Sequence, residues 1–238
     1  MSEITAERAV VPVADGTTME AYAAKPEGGG RRPGLLVLPE AFGVNAHIRD
    51  VVERFAREGF TAVAPELYHR TAPPGFEGRY DDFPAVAPHY QAMTDENLAM
   101  DLAAAHSWLA ERGGAQAGNV SAIGFCLGGR AAFLANAELP LRSAASFYGG
   151  GIAPALLPRV PRLSGPTLLV WGGKDGHIPP AQIAAVEDAL KAAGKPFVNA
   201  VFSEGGHGFF CDARASYHAP SAASAWALAL QFLKTGAS

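Results

Sequence analysis

The chain is short of cysteine: Cys126 and Cys211 are the only two in 238 residues. Two thiols do not make a disulfide framework, so a reducing cytoplasm is expected, with both thiols free. An excess of positive charge is also lacking. Nineteen Lys and Arg stand against 23 Asp and Glu, for a net charge of −4. Without a basic stripe to neutralise phosphates, nucleic acid is excluded as an expected partner. Long hydrophobic runs are missing too. "GLLVLP" and "TLLVWGG" are too short to cross a bilayer, and "MSEITAERAV" has no charged region leading into an apolar stretch. Neither a membrane span nor a signal peptide is therefore expected. There is no G-x-G-x-x-G fingerprint and no clustered Cys/His spacing, so no cofactor and no metal are implied. No repeat appears, and the one linker-like stretch, "KPEGGGRRPG", is too short to separate domains. With 49% hydrophobic residues, the chain suits one domain over residues 1–238. That domain is expected to be a monomer or a homodimer.

What is present is an alternation. "RAVVPV" and "TMEAYAA" flank "ADGT", an Asp-Gly turn between two strand-like runs, which predicts a hairpin. Further strands are predicted at "GLLVLPE", "TAVAPELY", "NVSAIGF", "RSAASFYGG", "GPTLLVWGG" and "PFVNAVFS". Between them fall helical patterns over 45–60, 94–113, "LGGRAAFLANA", 180–194 and the closing "SAASAWALALQFLKTG". Gly59 and Gly194 are plausible helix stops, and Thr94 a helix cap. The Pro-rich stretch from Arg70 to Tyr90 is predicted as a long loop, with at most a short helical turn. Apolar strands alternating with helices imply an α/β fold. Its sheet is mainly parallel, with helices on both faces and an antiparallel hairpin at the N-terminus. Chemistry in such sheets gathers at the carboxyl ends of strands.

One such end is "VSAIGFCLGGRAAF". Gly124 precedes Cys126 by two residues and Gly128 follows it by two. This is the G-x-nucleophile-x-G spacing, and it falls where a strand turns sharply into a helix. Small neighbours allow the turn, and the thiol stands at a helix N-terminus, which favours a thiolate. A small buried cysteine in a Gly-rich turn would be the plainer reading. The strand-to-helix context favours the nucleophile.

A nucleophile needs a base, and the base needs an orienting acid. In this sheet class they follow the nucleophile in the order acid, base. Asp175 in "LLVWGGKDGHIPP" and His207 in "VFSEGGHGFF" stand at successive strand ends in that order. Asp175 could equally cap the helix near residue 180. His177 is the decoy base. His106 reads as a helix residue, His47 and His218 as helix-flank residues, and His69 and His89 as residues bordering the long loop. Cys211 has no such corner and reads as a plain thiol.

The strand ending in Glu40 is followed by Ala41 and Phe42. In this architecture that loop supplies one oxyanion-hole N–H and the residue after the nucleophile supplies the other, so Ala41 and Leu127 are the candidate donors. Glu40 is either a surface acid or a hydrogen-bond partner of the thiol. Phe42 is a candidate substrate contact.

Four blocks, "LPEAFGVNAHIRDVVERFAREGFTAVAPELYHR", "GFCLGG", "WGGKDGHIP" and "GGHGFFCDARASYH", together resemble the dienelactone hydrolase family (carboxymethylenebutenolidases). The similarity runs over roughly residues 6 to 235. It implies an α/β-hydrolase fold and a Cys-His-Asp triad at Cys126, His207 and Asp175. It also implies that Glu40 pairs with the resting thiol and releases it when substrate binds. An arginine after the histidine binds the substrate carboxylate in the family. Arg214 is the nearest match, at a longer spacing, while Arg70 and Arg79 match no motif for a second one. The expected activity is hydrolysis of a lactone or small carboxylic ester, a small-molecule substrate, through a thioester. The alternatives are a non-catalytic carboxylate-binding protein on this scaffold and a cysteine acyltransferase or peptidase.

Overall fold

A computed structural model describes residues 3–236. The chain divides into two compact units, with the boundary between Ser121 and Ala122.

The first unit opens with the predicted hairpin, β1 (Ile4–Pro12) and β2 (Thr18–Pro26). Its turn closes through Gly16 N–H to the Val13 carbonyl, with Gly16 at φ 86. The Asp15 carboxylate accepts from both the N–H and the hydroxyl of Thr17. Strand β2 pairs antiparallel with β4 (Thr61–Pro65), and β4 pairs parallel with β3 (Arg32–Leu38). Leu35, Leu36, Val37 and Leu38 are all fully buried, which explains an unbroken apolar run in place of alternation. Helix α1 (Ala46–Arg57) starts where Asn45 caps it, its side chain accepting from Ile48 N–H. It buries Ile48, Val51, Val52 and Phe55, the stripe set by the helical spacing.

The long loop is more structured than expected. Phe83–Ala92 forms helix α2, capped by Asp82. Pro84 sits in the first turn, where the missing N–H costs nothing. The weak periodicity of "FPAVAPHYQA" hid it: only Val86 is buried. Helix α3 (Asp95–Trp108) is capped by Thr94, as predicted, and ends in a π-helical turn, Leu109–Gly113. Strand β5 (Ala115–Phe125) starts four residues earlier than the sequence pattern indicates and runs across the boundary between the units.

In the second unit β6 (Ala144–Phe147), β7 (Thr167–Gly172) and β8 (Phe197–Phe202) follow the end of β5 as consecutive parallel neighbours. Helices α4 (Leu127–Glu138), α5 (Pro180–Ala192) and α6 (Ala219–Thr235) connect and close it. His218, expected at a helix flank, caps α6 by accepting from Ser221 N–H. Among the described residues no helix is long and apolar enough to cross a membrane.

Candidate active site

The corner after β5 is built as its spacing predicts. Cys126 lies between β5 and α4 at φ 54 and ψ −113, a backbone region that costs a side-chain-bearing residue energy. It is held there on both sides. Its N–H donates to the Phe147 carbonyl at 3.0 Å, and its carbonyl accepts from Arg130 N–H at 3.1 Å. Gly124 can carry no side chain, since a Cβ there would stand 1.8 Å from the Gly128 carbonyl oxygen. The other close approach is at Gly129, where a Cβ would lie 2.5 Å from the Phe147 oxygen. So Gly129 is a second small residue that this corner demands. Leu127 is the first residue of α4, and N–H groups in a first helical turn have no acceptor within the helix.

The loops after β7 and β8 are locked backbone to backbone. Gly173 N–H donates to Phe202 O, and Lys174 N–H to Gly205 O, both at 2.8 Å. A Cβ on Gly172 would stand 2.5 Å from the Gly205 oxygen, so glycine permits the approach. This brings Asp175 and His207 together: Nδ1 of His207 lies 2.8 Å from Oδ2 of Asp175. On the other side of the ring, Nε2 lies 3.1 Å from Cys126 Sγ. The second Asp175 oxygen accepts the His177 backbone N–H at 2.8 Å. Asp175 thus makes a local turn and does not cap α5, whose cap residue is Pro179. Its side chain is 2% exposed, against 13% for His207.

Burial by itself disfavours an imidazolium at His207. The hydrogen bonds to Asp175 and Cys126, together with their charges, outweigh it and raise the ring to about 10. Asp175 shows the mirror case. Burial works to raise its carboxyl, but the bond to His207 prevails and the group is held below its ordinary value. A thiol, an imidazole and a buried carboxylate in one hydrogen-bonded line can move a proton between sulfur and nitrogen.

The decoy His177 is a neighbour of this line. Its exposed ring lies edge-on to His207 at 4.9 Å, but it is His207 that reaches the sulfur. Tyr148 was not anticipated. It follows β6 at φ 38, is fully buried, and its ring stands 5.3 Å from that of His207. The signal available was an aromatic residue at a strand end directly before two glycines. Arg214 is seven residues past His207, yet the turn returns it. Gly208 sits at φ 80, and a Cβ there would lie 2.4 Å from Arg214 Nη1, so the guanidinium covers the residue next to the histidine. Cys211 is buried, with no strand-to-helix corner around it.

Glu40, Ala41 and Phe42 belong to the first unit, just past the end of β3. Glu40 is 1% exposed, and its carbonyl accepts Gly43 N–H at 3.3 Å. Phe42 is buried, edge-on to Tyr80 at 4.7 Å, and its carbonyl accepts Gly78 N–H. Close by, at the end of β4, Glu66 is a buried acid that the sequence reading passed over; burial pushes its carboxyl up to about 7. Arg70 is consumed elsewhere. It binds both Asp101 oxygens at 2.8 Å and Asp15 at 2.7 Å. Arg79 pairs with Asp81 on the surface. His69 meets Thr17 and His89 meets Thr71, each at 3.0 Å.

The Dienelactone hydrolase family matches residues 19–237. Two relatives named "Putative carboxymethylenebutenolidase" are similar over most of their length. That of Escherichia coli (strain K12) is 36% identical over 92% of this chain and 83% of its own. That of Synechocystis is 38% identical over 90% of each. A Klebsiella pneumoniae crystal structure described as a "Putative Dienelactone Hydrolase" superposes with a TM-score of 0.89 at 34% identity, covering 98% of this chain and 99% of that one. An acylaminoacyl peptidase from Pyrococcus horikoshii shares the fold alone, with a TM-score of 0.75 at 16% identity over 98% of this chain and 42% of its own.

Proposed function

Because the chain belongs to the dienelactone hydrolase family, within the α/β-hydrolase fold, we propose that it cleaves its substrate through Cys126, His207 and Asp175 by way of a thioester. The enzyme is a hydrolase of lactones or carboxylic esters. The observation that supports this route most is the continuous line Sγ–Nε2, Nδ1–Oδ2, with contacts of 3.1 and 2.8 Å.

One proton is shared along the Cys126 Sγ–His207 Nε2 contact, and with it on Nε2 the thiolate attacks the acyl carbon. The carbonyl becomes an oxyanion that accepts from the Leu127 N–H, with the Ala41 N–H as second donor on the family resemblance. The tetrahedral centre collapses, the ring or ester C–O bond breaks, and the leaving oxygen takes the proton from Nε2. A thioester on Cys126 remains. Burial still disfavours the His207 cation at that stage, and the sulfur no longer offers the hydrogen bond and charge that raised its affinity for a proton. The imidazole is therefore a stronger candidate base for water in the second half-reaction than its resting state suggests. Water adds to the thioester, the C–S bond breaks, and a carboxylate leaves. To test the route, an ester burst is quenched with acid and the peptides are weighed. An acyl mass on the Cys126 peptide is expected. An adduct on another residue, or a burst with no adduct, would sink the thioester.

Arg214 is the proposed partner of a substrate carboxylate. An ionic hydrogen bond is worth about 1.5–3 kcal/mol, so Arg214→Ala should raise KM for carboxylate-bearing enol-lactones by about tenfold to a hundredfold. For neutral p-nitrophenyl esters KM should hardly move. Equal effects on both substrate classes would make Arg214 a structural residue.

Glu40 is proposed, on the same resemblance, to keep the Cys126 thiol protonated until substrate arrives. A nearby like charge opposes a thiolate by on the order of 1 kcal/mol in a partly wet site. Glu40→Gln should therefore speed alkylation by iodoacetamide at neutral pH by about fivefold while turnover falls. Unchanged alkylation together with unchanged turnover would reduce Glu40 to a buried strand-end acid.

A further inference from the structure

Among the described residues, two non-glycine residues have a positive φ: Cys126 at 54 and Tyr148 at 38. One is the proposed nucleophile and the other follows β6. A positive φ costs free energy for any residue with a side chain, most of all a bulky one. Such strain collects where the surrounding structure over-determines a site. Glycine would take this conformation freely. Gly149, Gly150 and Gly151 follow directly, yet the strained position itself is held by a tyrosine.

One peptide group joins the two strained residues. The Phe147 carbonyl, which leads into Tyr148, accepts the Cys126 N–H at 3.0 Å. The N–H of Tyr148 donates to the Val170 carbonyl of β7 at 2.7 Å. The loop is also pressed against the first turn of α4: a Cβ on Gly149 would stand 2.8 Å from the Gly129 carbonyl carbon and 2.9 Å from Arg130 N. The backbone at Tyr148 therefore cannot relax without moving the corner that carries the thiol or the strand that leads to Asp175.

This backbone aims the ring. Tyr148 is fully buried. Its ring centre stands 5.3 Å from that of His207 and 5.6 Å from that of Phe209, two residues further on. Phe147 and Phe125 back it at 6.2 and 6.4 Å, and Phe125 directly precedes Cys126. A close-packed interior gives such a ring no room to shift. The bond to Asp175 fixes one edge of the imidazole but lets it rock about the Nδ1–Oδ2 contact. A rigid wall beside the imidazole removes that freedom.

We propose that Tyr148 is a positioning residue for His207: its strained backbone wedges the aromatic ring against the imidazole and sets the 3.1 Å reach of Nε2 to Cys126 Sγ. The inference rests on the proposed roles of Cys126 and His207, and it adds a residue that acts through the base. The ring acts by its shape, so phenylalanine should serve as well.

The test follows the His207 imidazole by NMR in the full, histidine-labelled chain, with turnover measured alongside. Within the second unit, the titratable and charged groups about that ring are Asp175, Cys126, His177 and the Arg214 guanidinium over Gly208; the substitution removes none of them. In the wild type the ring holds its proton up to about 10 through its bonds to Asp175 and Cys126. In Tyr148→Leu the imidazole should rock away from them, and its titration midpoint should fall by at least about one pH unit. The kcat should drop about tenfold or more, as for any small misplacement of a reacting group, with KM within about twofold. Tyr148→Phe should match the wild type in all three. If the leucine variant does not fold, Tyr148→Met fills the space without a flat ring. Tyr148→Phe loses only a hydroxyl and tests the proposal in any case. Three results would overturn it: a leucine or methionine variant in which His207 titrates as in the wild type, a phenylalanine variant that shifts as far as leucine, or a loss confined to KM, which would make Tyr148 a substrate contact. The titration needs no turnover, so it is separate from the thioester route. An acyl adduct on another residue would sink that route and leave the position of the ring to be decided by the titration.

Discussion

Cys126→Ala is expected to remove essentially all ester and lactone turnover while leaving the fold intact. The thiolate is the proposed bond-forming atom, and no other side chain in the line can replace it. Deleting the nucleophile of a comparable triad costs on the order of 10⁶ in kcat, with the residue left over coming from binding and the oxyanion donors. The fold should survive because alanine keeps the backbone contacts that hold the corner, Cys126 N–H to Phe147 O and Cys126 O to Arg130 N–H. It remains at φ 54, so a small loss of stability is compatible with the design. Cys126→Ser should be nearly as inactive, since a hydroxyl surrenders its proton far less readily than a thiol. Cys211→Ala should keep most activity. Paired hydrolysis assays and circular dichroism decide the matter: substantial turnover in a folded Cys126→Ala protein ends the mechanism.

The second large effect concerns the base and its orienting acid. His207→Ala should cost on the order of 10⁴–10⁶ in turnover, and Asp175→Asn about tenfold to a hundredfold less, because the acid orients and steadies the ring without itself transferring the proton. His177→Ala should be mild, since its hydrogen bond to Asp175 comes from the backbone N–H, which alanine retains. An indispensable His177 beside a dispensable His207 would refute the assignment. The same groups set a pH signature on stability. His207 binds its proton more tightly in the folded chain than the ordinary 6.5 and releases it near 10. Its contribution is therefore complete below about 6.5 and is lost as pH rises through about 10. Asp175 works in the other direction: its carboxyl is held below 3.8, so its contribution is present above that value and lost as pH falls further. Denaturant melts between pH 6 and 10 should show the wild type losing stability relative to His207→Ala. Parallel curves would mean that the imidazolium is not stabilised in the folded state.

The corner at Cys126 and the parallel strands were legible in the sequence because each is a local matter. A sharp strand-to-helix turn needs Gly124 within two residues of Cys126, and a fully buried parallel strand needs an unbroken apolar run such as Leu35–Leu38. Helix caps are local as well: Asn45, Thr94 and His218 each close a turn on a backbone N–H three residues ahead. These requirements act over a handful of residues, so composition and spacing carry them.

Tertiary structure decided whatever depended on residues far apart in the chain. His207 and His177 both stand among glycines after the nucleophile. Only the locking of the β7 and β8 loops, through Gly173 to Phe202 and Lys174 to Gly205, settles which ring reaches the sulfur 81 residues earlier. Tyr148 beside His207 and the return of Arg214 over Gly208 depend on loop paths that no periodicity encodes. Arg70 could have faced a substrate until Asp15 and Asp101, 55 and 31 residues away, were seen to hold it. Helix α2 escaped notice for a related reason. It has a single buried residue, so packing leaves almost no apolar period in its sequence to read.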